Sequence, residues 1–114
     1  MHEASIVQEI IDITTEQAKQ NNAHKILEVE ITVGAGAMIE TDLLASAFDV
    51  MKNETMLEEA ILKINKANLK LHCLNCGKIF ESDRMISMEC PYCHSFETVI
   101  ESGREMLINK IIAE

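Results

Sequence analysis

Four cysteines stand in two pairs, Cys73-Leu-Asn-Cys76-Gly and Cys90-Pro-Tyr-Cys93-His, with thirteen residues between the pairs. Two intervening residues let both sulfurs of a pair reach one ion, and Gly77 permits a tight turn whose N–H groups can point at sulfur. Thirteen residues suffice for a hairpin that brings the pairs together. Four thiolates would close a tetrahedral shell around one zinc ion, which marks a structural site rather than a catalytic one with an open position. A pair of redox-active Cys-x-x-Cys motifs is the competing reading, but those sit at a strand–helix turn inside a βαβ pattern that this chain lacks. Iron in the same four-thiolate site is the alternative for an overexpressed sample. His72 and His94 flank the pairs; they read either as outer residues of the site or as alternative zinc ligands that replace a thiolate.

The opening Met1-His2-Glu3 is the second constellation. Methionine aminopeptidase requires a small second residue, so Met1 is expected to stay ahead of the large His2. A free amine, an imidazole and the amides between them can wrap one divalent ion. Nickel(II) and copper(II) displace amide protons and favour square-planar nitrogen donors. The set this suggests is the Met1 amine, the His2 amide and imidazole, and the Glu3 amide, with the Glu3 carboxylate orienting the site or adding an oxygen. A histidine at position 2 is more often incidental, and the residues alone leave that reading open. The amine and imidazole titrate at about 7.7–8.0 and about 6.5 when unperturbed, so acid would release the ion. A carrier needs that reversibility.

Composition narrows the rest. The chain has 114 residues and a net charge of −9; it is 47% hydrophobic and 4% aromatic, without Trp. A small aliphatic core of this kind gains from a metal clip. The acidity repels phosphate backbones and makes nucleic acid a poor partner. No leader-like start and no long apolar run is present, so a cytoplasmic protein without a membrane span is expected, in a compartment where paired cysteines bind metal.

The elements that must hold these residues can be read from periodicity. Ile6, Val7, Ile10, Ile11, Ile13 and Ala18 recur at helical spacing, predicting an amphipathic helix over 4–22 that Asn21-Asn22 closes. Residues 26–33 alternate, with Leu27, Val29, Ile31 and Val33 on one face of a strand and Glu28, Glu30 and Thr32 on the other. Gly34-Ala-Gly36 breaks the pattern as a loop, without the signature of a phosphate cradle. A second helix is predicted over 41–54, capped by Thr41, with Leu44, Phe48 and Met51 inward. Strand pattern returns over 60–72, but its phase slips near Lys66, which implies a bulge or a strand leaving one sheet for another. Strands are expected again at 96–101 and 105–113, separated by Gly103. The last of these has apolar residues on both parities, so it is central or pairs with a partner.

Taken in order, Met1-His2-Glu3, Ser5-Ile6-Val7 opening a helix, Val29–Val33 running into Gly34, Leu44–Phe48, the two cysteine pairs and Ser102-Gly103-Arg104-Glu105-Met106 resemble the HypA/HybF nickel-insertion family over essentially the whole chain. The resemblance implies an α+β fold: two helices on a three-stranded sheet, forming a nickel domain of residues 1–69 plus 98–114, with a four-cysteine zinc module of residues 70–97 inserted. It implies nickel at Met1, His2 and Glu3, and structural zinc at Cys73, Cys76, Cys90 and Cys93. It further implies cooperation with a HypB-type GTPase and delivery to the [NiFe]-hydrogenase large-subunit precursor, with a UreE-type urease chaperone as a further partner; a homodimer is suggested separately, by apolar surface on a sheet edge. One departure is visible: many members carry a Gly-Glu-Leu-like stretch where this chain has Gly34-Ala-Gly36-Ala-Met-Ile.

Two other functions are weighed against nickel delivery. A zinc-ribbon adaptor for a protein or nucleic-acid partner is permitted by the cysteines, but the charge and the absence of a basic aromatic face oppose nucleic acid. A zinc hydrolase needs an open coordination position and a nearby base; four thiolates leave none, and neither HExxH nor GxSxG occurs. The expectation is a metallochaperone and not an enzyme.

Overall fold

Helix α1 (Glu3–Gln20) buries Ile6, Val7, Ile10, Ile11 and Ala18 of the predicted stripe together with Thr14, whereas Ile13, expected in that stripe, is 45% exposed. The computed structural model describes residues 3–83 and 88–114. Thr14, the polar member of the stripe, donates its hydroxyl to the Ile10 carbonyl at 2.7 Å and is thereby satisfied within the helix. The turn that follows the helix closes at Asn22, whose φ of 58° is left-handed. Asn22 N–H donates to Lys19 O and Ala23 N–H to Ala18 O, the paired bonds that satisfy the last carbonyls of a helix.

Strand β1 (Ile26–Gly34) follows, then a 3-10 turn (Ala35–Ala37) and helix α2 (Thr41–Met51). Helix α2 stops three residues short of the predicted end. Glu40, not Thr41, occupies its cap position, and no side chain of its own caps the helix. The Glu3 carboxylate accepts from the Glu40 N–H at 3.2 Å instead. A cap supplied from a position 37 residues away has no local signal. The helices contact each other, and Leu44 and Phe48 of α2 are closed to solvent with Val29 and Ile31 of β1.

The expected phase slip resolves into two strands, β2 (Ile61–Ala67) and β3 (Leu69–Cys73), which join different sheets. After these come β4 (Ile79–Ser82), β5 (Thr98–Ser102) and β6 (Met106–Ala113). One sheet has the order β2-β1-β6 and the other β4-β3-β5. The fold is therefore α+β, with two α-helices and two small three-stranded sheets among the described residues. Among the described residues β6 stands at the edge of its sheet, not at its centre.

Two compact units result, one of Met1–Thr32, Ile39–Asn65 and Leu107–Glu114, the other of Val33–Met38 and Lys66–Met106. The second unit is wider than the expected module of residues 70–97. β3 pairs antiparallel with both β4 and β5, so the strands on each side of the cysteines pair with one another. The 3-10 turn also belongs here: Gly34 N–H donates to Glu105 O at 3.0 Å and Gly36 N–H to Gly103 O at 2.7 Å. Gly103 has a φ of +96°, and a Cβ there would strike the Asn68 carbonyl oxygen and lie 2.8 Å from Leu69 Cα. The Ser-Gly-Arg-Glu stretch thus marks a place where only a glycine backbone fits.

Candidate metal centre

The cysteines reach one point by two copies of the same turn. In the first pair, Cys73 N–H donates to Lys78 O and Gly77 N–H to Cys73 O; in the second, Cys90 N–H donates to Ser95 O and His94 N–H to Cys90 O. The residue after each pair is left-handed, Gly77 at φ 78° and His94 at φ 64°. Sequence marks the first of these with glycine. In the second a histidine takes the same conformation, one that non-glycine residues adopt uncommonly and His more readily than most. Cys73 closes β3, and Leu74 N–H donates to Glu97 O at 2.8 Å, which ties the first turn to the approach of β5.

Four sulfurs lie within 4.8 Å of one another. Cys73 Sγ stands 3.6 Å from Cys93 Sγ, and Cys76 Sγ 3.7 Å from Cys90 Sγ. Zinc–sulfur bonds of about 2.3 Å at tetrahedral angles put sulfurs about 3.8 Å apart, so this spacing fits one zinc ion. No disulfide forms; all four are free thiols, with Cys73 and Cys90 buried and Cys76 exposed. The Cys76 N–H points at Cys73 Sγ at 3.5 Å. Asn75 Nδ2 donates to Cys93 Sγ at 3.5 Å, and this bond, with that from the Ser95 backbone, holds the Cys93 thiol down to about 6. The Cys76 thiol is pushed up to about 11: a Lys78 backbone bond lowers it, but desolvation and the three neighbouring sulfurs outweigh that bond. Without metal the four sulfurs compete for protons, and a dication relieves the competition by replacing them.

The other predicted residues fall elsewhere. His94 Nδ1 is 2.7 Å from Glu89 Oε2, and His72 Nδ1 is 3.8 Å from Glu101 Oε1. Neither belongs to the four-sulfur group. Met1 and His2 lie outside the described residues. Glu3 opens α1 with its carboxylate engaged on the Glu40 amide. Glu40 is the residue at this end that sequence reasoning missed. It is exposed, and only the folded chain brings it to Glu3. Among the described residues, no helix is long and apolar enough to cross a membrane.

Comparison with known proteins agrees with this geometry. The family described as "Hydrogenase/urease nickel incorporation, metallochaperone, hypA" matches residues 1–113. The hydrogenase maturation factor HypA of Aquifex aeolicus is 36% identical over 114 residues, covering 100% of this chain and 98% of the relative. The hydrogenase/urease maturation factor HypA of Helicobacter pylori is 35% identical over 107 residues, covering 93% and 92%. The solution structure of the Ni metallochaperone HypA from Helicobacter pylori superposes with a TM-score of 0.71 at 32% identity, covering 99% of this chain and 97% of that one. With the doubled turn, the four-sulfur cluster and a match running from the first residue to the last strand, this chain belongs to the HypA family of hydrogenase/urease nickel-incorporation metallochaperones.

Proposed function

We propose that the chain binds nickel(II) through Met1, His2 and Glu3 and delivers it, as cargo, to a nickel enzyme under maturation. The observation that carries this is the family match beginning at Met1, joined to the engagement of Glu3 on Glu40. A carboxylate held by a distant amide is an orienting group. It anchors the third residue and leaves the donors before it to fold around one ion. A terminal amine, an imidazole and two amides suit a square-planar nickel ion. The same amine and imidazole take up protons in mild acid, so the cargo is released when either is protonated.

The four thiolates serve zinc as a structural clip and leave no open position for a substrate, so the protein acts without catalysing a reaction. The functional division is a nickel domain of residues 1–69 plus 98–114 around the module of residues 70–97. His72 or His94 would join the zinc through Nε2, since Nδ1 stands beside Glu101 or Glu89, and constant sulfur coordination in X-ray absorption spectra across mildly acidic pH would exclude that exchange. Free thiols suit a reducing cytoplasm. The partners this reading requires are a HypB-type GTPase and the [NiFe]-hydrogenase large-subunit precursor, with a UreE-type chaperone where urease is the client. A homodimer is compatible with the open edge of β6.

Nickel titration of the untagged protein, of His2→Ala and of a form extended ahead of Met1 tests the site. Binding is lost in the second and third, because the extension turns the terminal amine into an amide. Equal affinity in all three refutes the site.

A further inference from the structure

Helix α2 carries two apolar stripes, and its fold uses one. Leu44 and Phe48, at 0% and 1% exposure, face the core, while Leu43 is 56% exposed and Val50 71%. Leu43, Ala47 and Val50 stand at i, i+4 and i+7, the spacing of a seam that receives another helix. The sequence repeats at seven residues, Asp42-Leu43-Leu44 and Asp49-Val50-Met51. Around the helix the order is therefore inner apolar stripe, outer apolar stripe, acidic stripe. Ala47 is small and half-buried, so it leaves a hollow between two large aliphatic side chains. A solvated helix face has no physical need for leucine and valine at that spacing.

We propose that this outer face of α2 docks an amphipathic helix of a protein partner, one with an aliphatic ridge flanked by Lys or Arg. Charge selects the occupant. The unit that contains α2 holds thirteen Asp and Glu against five Lys, whereas the other unit holds six against five Lys and Arg. Asp42 and Asp49 line one side of the seam. Lys52, the one base of the segment, is drawn to Asp49 at 3.7 Å and donates to Ala60 O at 3.1 Å. A second copy would bring the same acidic unit against itself, which its charge opposes, whereas a cationic helix is attracted by it. The helix that carries this face follows Glu40, whose amide donates to the Glu3 carboxylate. A helix seated on α2 would therefore lie at the end of the unit that offers nickel. That last step rests on the delivery reading; the docking face itself does not.

The probe is a synthetic helix with a Leu ridge flanked by Lys, beside an isomer of identical composition with its Leu residues scattered and a third peptide with Glu flanks. Binding to the full-length zinc-loaded protein is followed by backbone amide shifts. The ridge peptide is expected to bind, to shift the amides of residues 41–51, and to weaken about tenfold or more in Leu43→Ser and in Val50→Ser, each of which removes a large exposed aliphatic contact without touching the core. Asp42→Asn with Asp49→Asn should weaken it further and flatten its salt dependence. Equal binding of the scattered isomer, or shifts centred elsewhere, overturns the proposal. So does a concentration-dependent dimer of the free protein that Leu43→Ser abolishes, which would make a second copy the occupant. Nickel titration of the same variants separates the two readings: loss of nickel binding at Met1–Glu3 in the parent protein defeats delivery and leaves the docking result standing.

Discussion

Three glycines in the second unit differ in what an added methyl group would meet, which separates two kinds of strain. Gly77 has φ +78° and nothing within 4 Å of a built Cβ. Gly77→Ala costs backbone strain alone, about 1–2 kcal/mol, offset by about 0.4–1 kcal/mol from the less flexible unfolded chain. Gly34 has an ordinary φ of −74°, but its Cβ would run into the Gly103 carbonyl. Gly34→Ala costs only the displacement of packed backbone, about 1–3 kcal/mol before the same offset. Gly103 combines both, with φ +96° and a Cβ against Asn68 O and Leu69 Cα, so Gly103→Ala should cost about 2–5 kcal/mol before the same offset. That is a large share of the roughly 5–15 kcal/mol that holds a domain folded. Urea unfolding with zinc in excess, read at one temperature, measures all three. Because Gly34 and Gly103 share one contact, the double substitution should cost less than the sum of the singles. A Gly103→Ala cost no greater than that of Gly77→Ala would refute the close approach described here.

Further outcomes follow from the same structure. Chelating zinc should broaden the amide signals of residues 66–106 before those of α1 and β1, because β3, β4 and β5 have little core without the four sulfurs; simultaneous loss would show one cooperative unit. Phe48→Ala, at a fully buried site, should cost about 3–5 kcal/mol by thermal or urea melting, while Thr14→Val should cost under about 1 kcal/mol, since donor and acceptor of that bond lie in one helix. Glu59 holds Lys25 at 2.8 Å, and the bond and charge of Glu59 raise the Lys25 pKa above 10.5. A raised base stabilises the fold below its ordinary value and stops doing so as pH climbs through the raised one. The stability gap between parent and Glu59→Gln should therefore hold through pH 7–9 and close on further alkalinisation; a gap that persists in strong alkali would assign it to packing instead.

Some of this was legible in the chain because its cause is local. Helix α1 appears where apolar residues recur at 3.6-residue spacing. The slip of parity near Lys66 announced a bulge or a change of sheet, since a side chain can change faces only if the register breaks, and the structure has the change of sheet. The cysteine pairs specified a four-sulfur site through spacing alone, and Gly77 announced the left-handed residue that closes the first turn. His94 did not announce the second, because histidine tolerates that conformation without marking it.

Sequence by itself therefore determined most of the elements, the four-cysteine set and the kinship with nickel carriers, all of which rest on neighbours within a few residues or on the order of motifs. Only tertiary structure decided that Glu3 caps α2 at Glu40, that β6 is an edge, that residues 33–38 belong with the cysteine-bearing unit, and that Leu43 and Val50 remain exposed. Each of these depends on which distant segments meet, and one-dimensional periodicity shows that a face is apolar without showing what covers it.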